Sequence, residues 1–594
     1  MVLAMPSTPA PAVPVRSRQS GAFDLPSVLI GVAVVAILAI GVMAAVFGVI
    51  PWAQDRAAQQ DLAAVTTAQG TNYARDGSFA DKDALVGAGW LGEGTPEALE
   101  TKAGTEGKCY VAVATSKTGK RFVATSDRPA PQPLTSNDAW CSGTLIAPDT
   151  AAVMVSTWNT SAAECREITL PVTGLKGTVS WGDGSTDAKT THTFDGAGET
   201  QIRIDGTFTA WGSNGWADAR CLIAVDRWGM TGTSDLSYAF SEADSLRHVE
   251  SIPATTTNLG FVFQNVDSAF TLGRLYTANV TTMVSAFDGA AAFNQPLEFN
   301  TSRVTSMYRM FRGASAFNSR VAFDTSGVVN MASMFWEAAS FNQQVSFDTA
   351  RVTSMGSMFR DAHVFNQPVP FNTSKVTEMN YMFSGTHSFD QPLNFDTANV
   401  VTLASMFSGA TAFNHPVAFD TAKTTTMYDM FKLAAAFNQP VNFNTSKVTT
   451  MYQMFMGAAA FNQPVINFDT SQVTTTTSMF NGARVFDQPV NFDTSQVMSM
   501  VNMFLNAYQF NHPVRFNTSK VTDMMQMFNG AQAFNQPLNF DTSKVTNMTQ
   551  MFMNARSFNQ DLSEWNVTRV SPENRSSFST GATSWTLPKP AWIL

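Results

Sequence analysis

Reactive side chains are scarce in this sequence. Its six histidines fall in no metal-ligand spacing, and His415 and His512 simply replace the Gln of a recurring Phe-Asn-Gln-Pro tetrapeptide. No Ser/His/Asp arrangement, Gly-rich phosphate loop or paired-carboxylate motif stands out. The sequence therefore offers no catalytic residue and no resident cofactor, and the chain reads as a non-enzyme. Four cysteines in 594 residues exclude a disulfide-dense scaffold; Cys109, Cys141, Cys165 and Cys221 leave three pairings open. A net charge of −9 argues against a general nucleic-acid binder.

What remains is the chemistry of recognition. Tyr308, Trp336, Tyr381, Tyr428 and Tyr452 are aromatic residues at variable positions, the kind that form ligand contacts. Tyr428 and Tyr452 are 24 residues apart, with Lys423 and Lys447 at the matching offset, and these four are the first candidates for a binding patch. A column of Asn and Asp (Asn300, Asp324, Asp348 and onward) has two readings, calcium bridging or turn capping, and capping is preferred. Three residues further on, a basic column (Arg303, Arg351, Lys375 and others) reads as a solvated face balancing the aspartates.

These side chains are positioned by a repeat. Phe293, Phe317, Phe341 and their successors recur every 24 residues to Phe461; one insertion near Ile466 gives a single 25-residue step to Phe486. A second Phe precedes each anchor by six, and a third follows it. The 46 Phe and 30 Met of the composition fill these slots. Self-similarity at this period predicts about fourteen stacked coils, each covering the apolar side of its neighbour. Met307, Met310 and Phe311 stand at i, i+3, i+4, which predicts a short helical turn, and the stretch ending at Phe323 predicts one brief strand. Asn318, Asn342 and Asn366 form a column expected to hydrogen-bond along the stack.

The N-terminal part differs. Residues 28–50 carry no charge and are long enough to span a bilayer, with Arg16 and Arg18 before them and Asp55 and Asp61 after. A helical pattern continues to about Tyr73, with Leu62 and Val65 on one face. From Val153 the texture turns β-rich.

Three resemblances follow from these motifs. A short basic leader ending at Gly21, then Ala22-Phe23-Asp24-Leu25 and the apolar run, resembles type IV prepilins, as does NYARDGSFA at the end of the first helix. That likeness implies cleavage between Gly21 and Ala22, assembly with other pilin subunits through the helix, and a head disulfide between Cys109 and Cys141. The usual acidic residue at the fifth mature position is Pro26 here, with Asp24 nearby, which favours a minor or tip subunit. Trp181-Gly182-Asp183-Gly184 followed by His192-Thr193-Phe194 resembles PKD-like sandwiches, in which His192 would be structural. Cys165 and Cys221, the remaining pair within this region, are expected to form a second disulfide outside the membrane. FNQPLNFDTSKVTNMTQMF, residues 534–552, resembles the BspA-type leucine-rich-repeat surface proteins, which implies a right-handed solenoid and adhesion.

The expected organisation is a leader (1–21), a pilin-like helix (22–73), a small α/β head (74–150), a PKD-like β-sandwich (151–231), a leucine-rich-repeat-like solenoid (232–570) and a cap or tail (571–594). The expected function is a minor or tip pilin-like adhesin. It would be membrane-inserted by one span before assembly and then displayed on a pilus at the cell surface, binding a host, cell or glycan surface. The alternative is a structural spacer or shield on a plain membrane anchor.

Overall fold

The computed structural model describes residues 49–592 apart from 77, 92–98, 104–109, 116–120, 126–131, 134–151, 230, 254 and 274. Gly21, Ala22, most of the apolar run, Cys109 and Cys141 lie outside the described residues. Among the described residues no helix is long and apolar enough to cross a membrane. The chain divides into two compact units, Met1–Asp149 and Thr150–Leu594.

In the first unit, helix α1 (Val49–Asp76) is followed by α2 (Lys82–Gly87) and a four-stranded antiparallel sheet of β1 (Leu99–Ala103), β2 (Tyr110–Thr115), β3 (Arg121–Thr125) and β4 (Gln132–Pro133), in that order. Leu62, Val65 and Ala68 share one face of α1 and are buried with Ala112, Ala114 and Phe122 of the sheet. Gln69 is also fully buried, and its amide is satisfied: Nε2 donates to the Ala80 carbonyl (2.6 Å) and to Thr101 Oγ1 (3.1 Å), while Oε1 accepts the Ala80 N–H (3.0 Å).

The second unit begins with β5 (Val153–Asn159), β6 (Glu167–Thr169), β7 (Val172–Thr173), β8 (Lys176–Ser180), β9 (Thr186–Asp187), β10 (Thr191–Thr193), β11 (Glu199–Thr207), β12 (Ala210–Trp211) and β13 (Leu222–Trp228). With β14 (His248–Val249) and β15 (Thr271–Leu272), five of these form one sheet ordered β15-β14-β13-β5-β11-β8-β9. The β13–β14 and β14–β15 pairings are parallel, so the sheet runs on past residue 231 into the first coils. Cys165 and Cys221 form a disulfide with Cα atoms 5.7 Å apart. His192 stacks on Trp181 (4.9 Å) and its Nε2 lies 2.7 Å from Asp183 Oδ2, inside an aromatic packing arrangement.

From Asp235 onward the chain is a stack of coils joined by a column of parallel bridges, Asp235 to Asn258, Asn258 to Thr282, Thr282 to Ser306 and so to Thr450, which resumes after the 25-residue step from Thr475 to Asn547. The expected helical turn is absent. Met310, Arg312 and Ala314 instead donate their N–H groups to the carbonyls three residues back, a run of β-turns. Alternate residues Met307, Arg309, Phe311 and Gly313 donate to Asn330, Ala332, Met334 and Trp336 of the next coil. The run needs left-handed backbone at two places, Arg309 (φ 56°) and Gly313 (φ 67°). Every second N–H thus bonds within its coil and the others bond between coils, which leaves few orphans. The expected strand near Phe323 is likewise reduced to a single bridge, Leu297 to Val321.

Side chains fill the interior in ladders. Phe311 lies 4.2 Å from Phe317 within its coil and 5.6 Å from Phe335 in the next, with rings nearly parallel. The inserted residue near the 25-residue step is pushed outward: Ile466 is 48% exposed, while Phe443 and Phe468 stay stacked at 6.4 Å.

Candidate functional site

Because Met307, Met310 and Phe311 point inward, positions 308, 309 and 312 of the same turns point outward, and each repeats as a column. The column of Arg312, Trp336 and Arg360 carries the largest side chains. Trp336 lies between the two guanidinium groups, whose Cζ atoms are 5.4 Å and 4.9 Å from its ring centroid. Arg312 is oriented from behind by Asp288, which is 2% exposed and accepts from Arg312 Nε at 2.7 Å. Arg360 also covers the Tyr381 ring at 5.0 Å, and Arg309 covers Tyr308 at 4.8 Å.

Tyr381 continues the chain of contacts. Its hydroxyl is 3.1 Å from that of Tyr428, two coils on. That hydrogen bond, then burial, then the charges of Tyr381 and Asp429 push the Tyr428 phenol up to about 12. Burial raises the neighbouring Asp429 carboxyl as well, against the pull of Lys432 at 3.4 Å. Two donors on these turns, Trp336 Nε1–H and Arg309 Nε–H, are buried and make no hydrogen bond.

The residues singled out from the sequence therefore separate. Trp336, Tyr381 and Tyr428 join one arginine-aromatic group, and Tyr308 forms a separate pair with Arg309. Tyr452 is 39% exposed and receives a hydrogen bond from Gln453 Nε2 (2.7 Å) instead of extending that group. Lys423 reaches back along the stack to Asn399 Oδ1 (2.7 Å), and Lys447 is exposed on the same basic column. Arg309, Arg312, Arg360 and Asp288 are not aromatic, and the aromatic positions of the sequence do not point to them. The 24-residue spacing of Arg312, Trp336 and Arg360 was the available signal.

Two other columns have structural work. Asn318 Oδ1 accepts the Asn342 N–H (3.0 Å) and Gln343 Nε2–H (3.1 Å), and this pattern repeats along the stack. Asp324 Oδ1 accepts both the N–H (3.0 Å) and the hydroxyl (2.7 Å) of Ser326, a turn cap that holds its carboxyl below the usual range. Among the described residues no three or more His, Cys, Asp or Glu are grouped so as to hold a metal ion.

The parallel bridges and ring ladders define a repeat protein built of stacked coils. Models of a family described as Mycoplasma protein of unknown function, DUF285, match residues 257–370, 320–418, 345–441, 417–515 and 490–592. These spans cover more than half of the chain, and it belongs to that family. Neither a curated protein nor a solved structure matches the chain.

Proposed function

We propose that this is a surface-displayed recognition protein: a minor or tip type IV pilin-like subunit whose right-handed, leucine-rich-repeat-like solenoid binds a host, cell or glycan surface. The N-terminal segment, cleaved after Gly21, supplies the membrane span and the contact with other pilin subunits, and the PKD-like segment acts as a stalk. The observation that supports recognition is the arginine-aromatic group over Trp336. Its residue types, tryptophan, tyrosine and arginine, are those that dominate binding hot spots. The reading includes no catalytic step and no cofactor.

The test is binding of the full-length protein to glycan arrays and cell surfaces, beside a Trp336→Ala, Arg360→Ala double variant. Loss of roughly tenfold or more in affinity is expected. Equal binding by the variant removes this patch, and no binding by the wild type favours the spacer reading. Separately, mass spectrometry of protein from its own cells should find Ala22 at the mature N-terminus.

A further inference from the structure

All six histidines lie in the second unit, and four of them are each held by a carboxylate: His192 by Asp183, His248 by Glu250, His415 by Asp390 and His512 by Asp487. His363 and His387 are the other two, and among the described residues neither forms an ion pair. They face each other instead, with ring centroids 4.7 Å apart and planes 13° from parallel. A separation of 24 residues is no local ligand spacing, but in this stack it sets two side chains at the same position of adjacent coils. Both are exposed. The coil before carries Ala339 at this position and the coil after carries Thr411, so small side chains flank the pair.

One ring has its proton fixed. His363 Nδ1 lies 3.0 Å from the Gly385 carbonyl oxygen, which can only accept. In the neutral imidazole Nδ1 therefore carries the proton and Nε2 keeps the free lone pair. Metal-binding histidines use this same bond to a backbone carbonyl to set their tautomer and orientation. The His387 ring makes no hydrogen bond among the described residues; its contact is the stack on His363. Asp361 borders the same glycine, and its Oδ1 fills the space that a side chain at Gly385 would take. It adds negative charge beside the pair, although Arg360 Nε reaches its other oxygen at 3.3 Å. It supplies charge and not a ligand atom, because among the described residues no third histidine, cysteine or acid completes the set.

We infer that His363 and His387 form a two-imidazole site for a divalent transition metal, with water in the remaining positions. Imidazole nitrogen suits copper, nickel and zinc ions, whereas calcium and magnesium take oxygen ligands. Metal–nitrogen bonds of about 2.0–2.1 Å put two nitrogens on one ion roughly 3–4 Å apart. The rings must therefore converge by about 1 Å from their stacked spacing of 4.7 Å. His363 is anchored by its bond to Gly385, and the exposed His387 supplies the movement. The site does not depend on the recognition role of the arginine-aromatic group.

The experiment titrates full-length protein in detergent with copper(II), zinc(II) or calcium chloride, each alone, by isothermal calorimetry. Copper should bind more tightly than zinc, following the order of first-row affinities, and calcium should not bind at this position. His363→Ala and His387→Ala should each weaken copper binding roughly tenfold or more, because loss of an outer-shell partner alone costs a metal site about that much. The stack itself carries alanine at this position in Ala339 and Ala435, so both variants should fold, and equal melting in EDTA checks it. Electron paramagnetic resonance of the copper complex should show two coupled imidazole nitrogens in the wild type and one in either variant. Equal copper affinity in the wild type and the double variant overturns the site, as does a wild type that binds no copper or whose spectrum lacks the second nitrogen. Calcium binding that disappears in the same variants overturns the assignment to a transition metal.

Discussion

Phe437 has no exposed surface; its ring lies 4.0 Å from Phe431 and 6.0 Å from both Phe413 and Phe461. Phe437→Ala removes contacts in three coils at once and should cost about 3–5 kcal/mol, read by urea denaturation with protease resistance as a local check. Leu433 shows the opposite case. It sits at φ 57° and is 49% exposed, at the position occupied by Gly409 and Gly457 in the flanking coils. A left-handed L-residue costs about 1–2 kcal/mol, so Leu433→Gly should raise stability by about 1 kcal/mol, even after glycine's extra unfolded-state entropy. Asp183 gives a pH dependence. Hydrogen bonds from the Ser185 hydroxyl, the Ser185 N–H and His192 lower its carboxyl from 3.8 to about 2. A depressed folded value means the contribution is complete above 3.8 and is lost as pH falls towards about 2. Solvent screening keeps it small. The Asp183→Asn variant should flatten acid unfolding over that window, as followed by Trp fluorescence.

At the scale of the coil, the interior was legible and the backbone was not. A 24-residue Phe period can only mean stacked slots, and the Asn column follows because a side-chain amide between coils must bond to the next one. The turn is not a helix because i, i+3, i+4 spacing arises equally from a helix and from the successive β-turns that form here. What separates them is left-handed backbone, and glycine announces it only at some positions, such as Gly313, not at Arg309. The arginine-aromatic group was half legible for a related reason: the columns were visible, but arginine partners of Trp336 require knowing that positions 24 apart lie face to face. A further pairing crosses coils. Where the Asn ladder carries Asp390 or Asp487, the next coil has His415 or His512 in place of Gln. Each His Nε2 lies 3.2 Å from the Asp backbone carbonyl and 3.5 Å from its carboxylate. A cation-capable partner answers the added charge where Gln suffices for Asn. Asp390→Asn and His415→Gln should therefore each cost more alone than together, with a coupling of about 0.2–1 kcal/mol in a double-mutant cycle. Additive effects would mean the pair is coincidental.

Across the whole second unit, the stack must end without exposing its ladder, and both ends use the same device. Inside the array the Phe rings lie parallel; at the N-terminal end Trp228 meets Phe240 edge-on at 6.0 Å, next to the continuing sheet. At the C-terminal end Phe578 and Trp585 meet Phe552 edge-on, both at 5.4 Å, and Trp585 meets Phe558 at 4.7 Å. The last coil also gives its inter-coil N–H groups to this segment, Met548 to Asn574 (2.8 Å), Phe552 to Phe578 (2.8 Å) and Asn554 to Thr580 (2.8 Å). Residues 571–592 are therefore a cap, closing both the hydrogen-bond ladder and the ring ladder. Deleting 571–594 should expose Phe552 and Phe558 as a flat apolar end. In a quasi-one-dimensional array the damage should stay near that end. Hydrogen exchange should show lost protection at residues 548–558 with little change at 306–360, and the truncated protein should aggregate or stack end to end. Native-like protection at 548–558 in a monomeric truncation would mean that the last coil closes itself and the terminal aromatics serve another purpose.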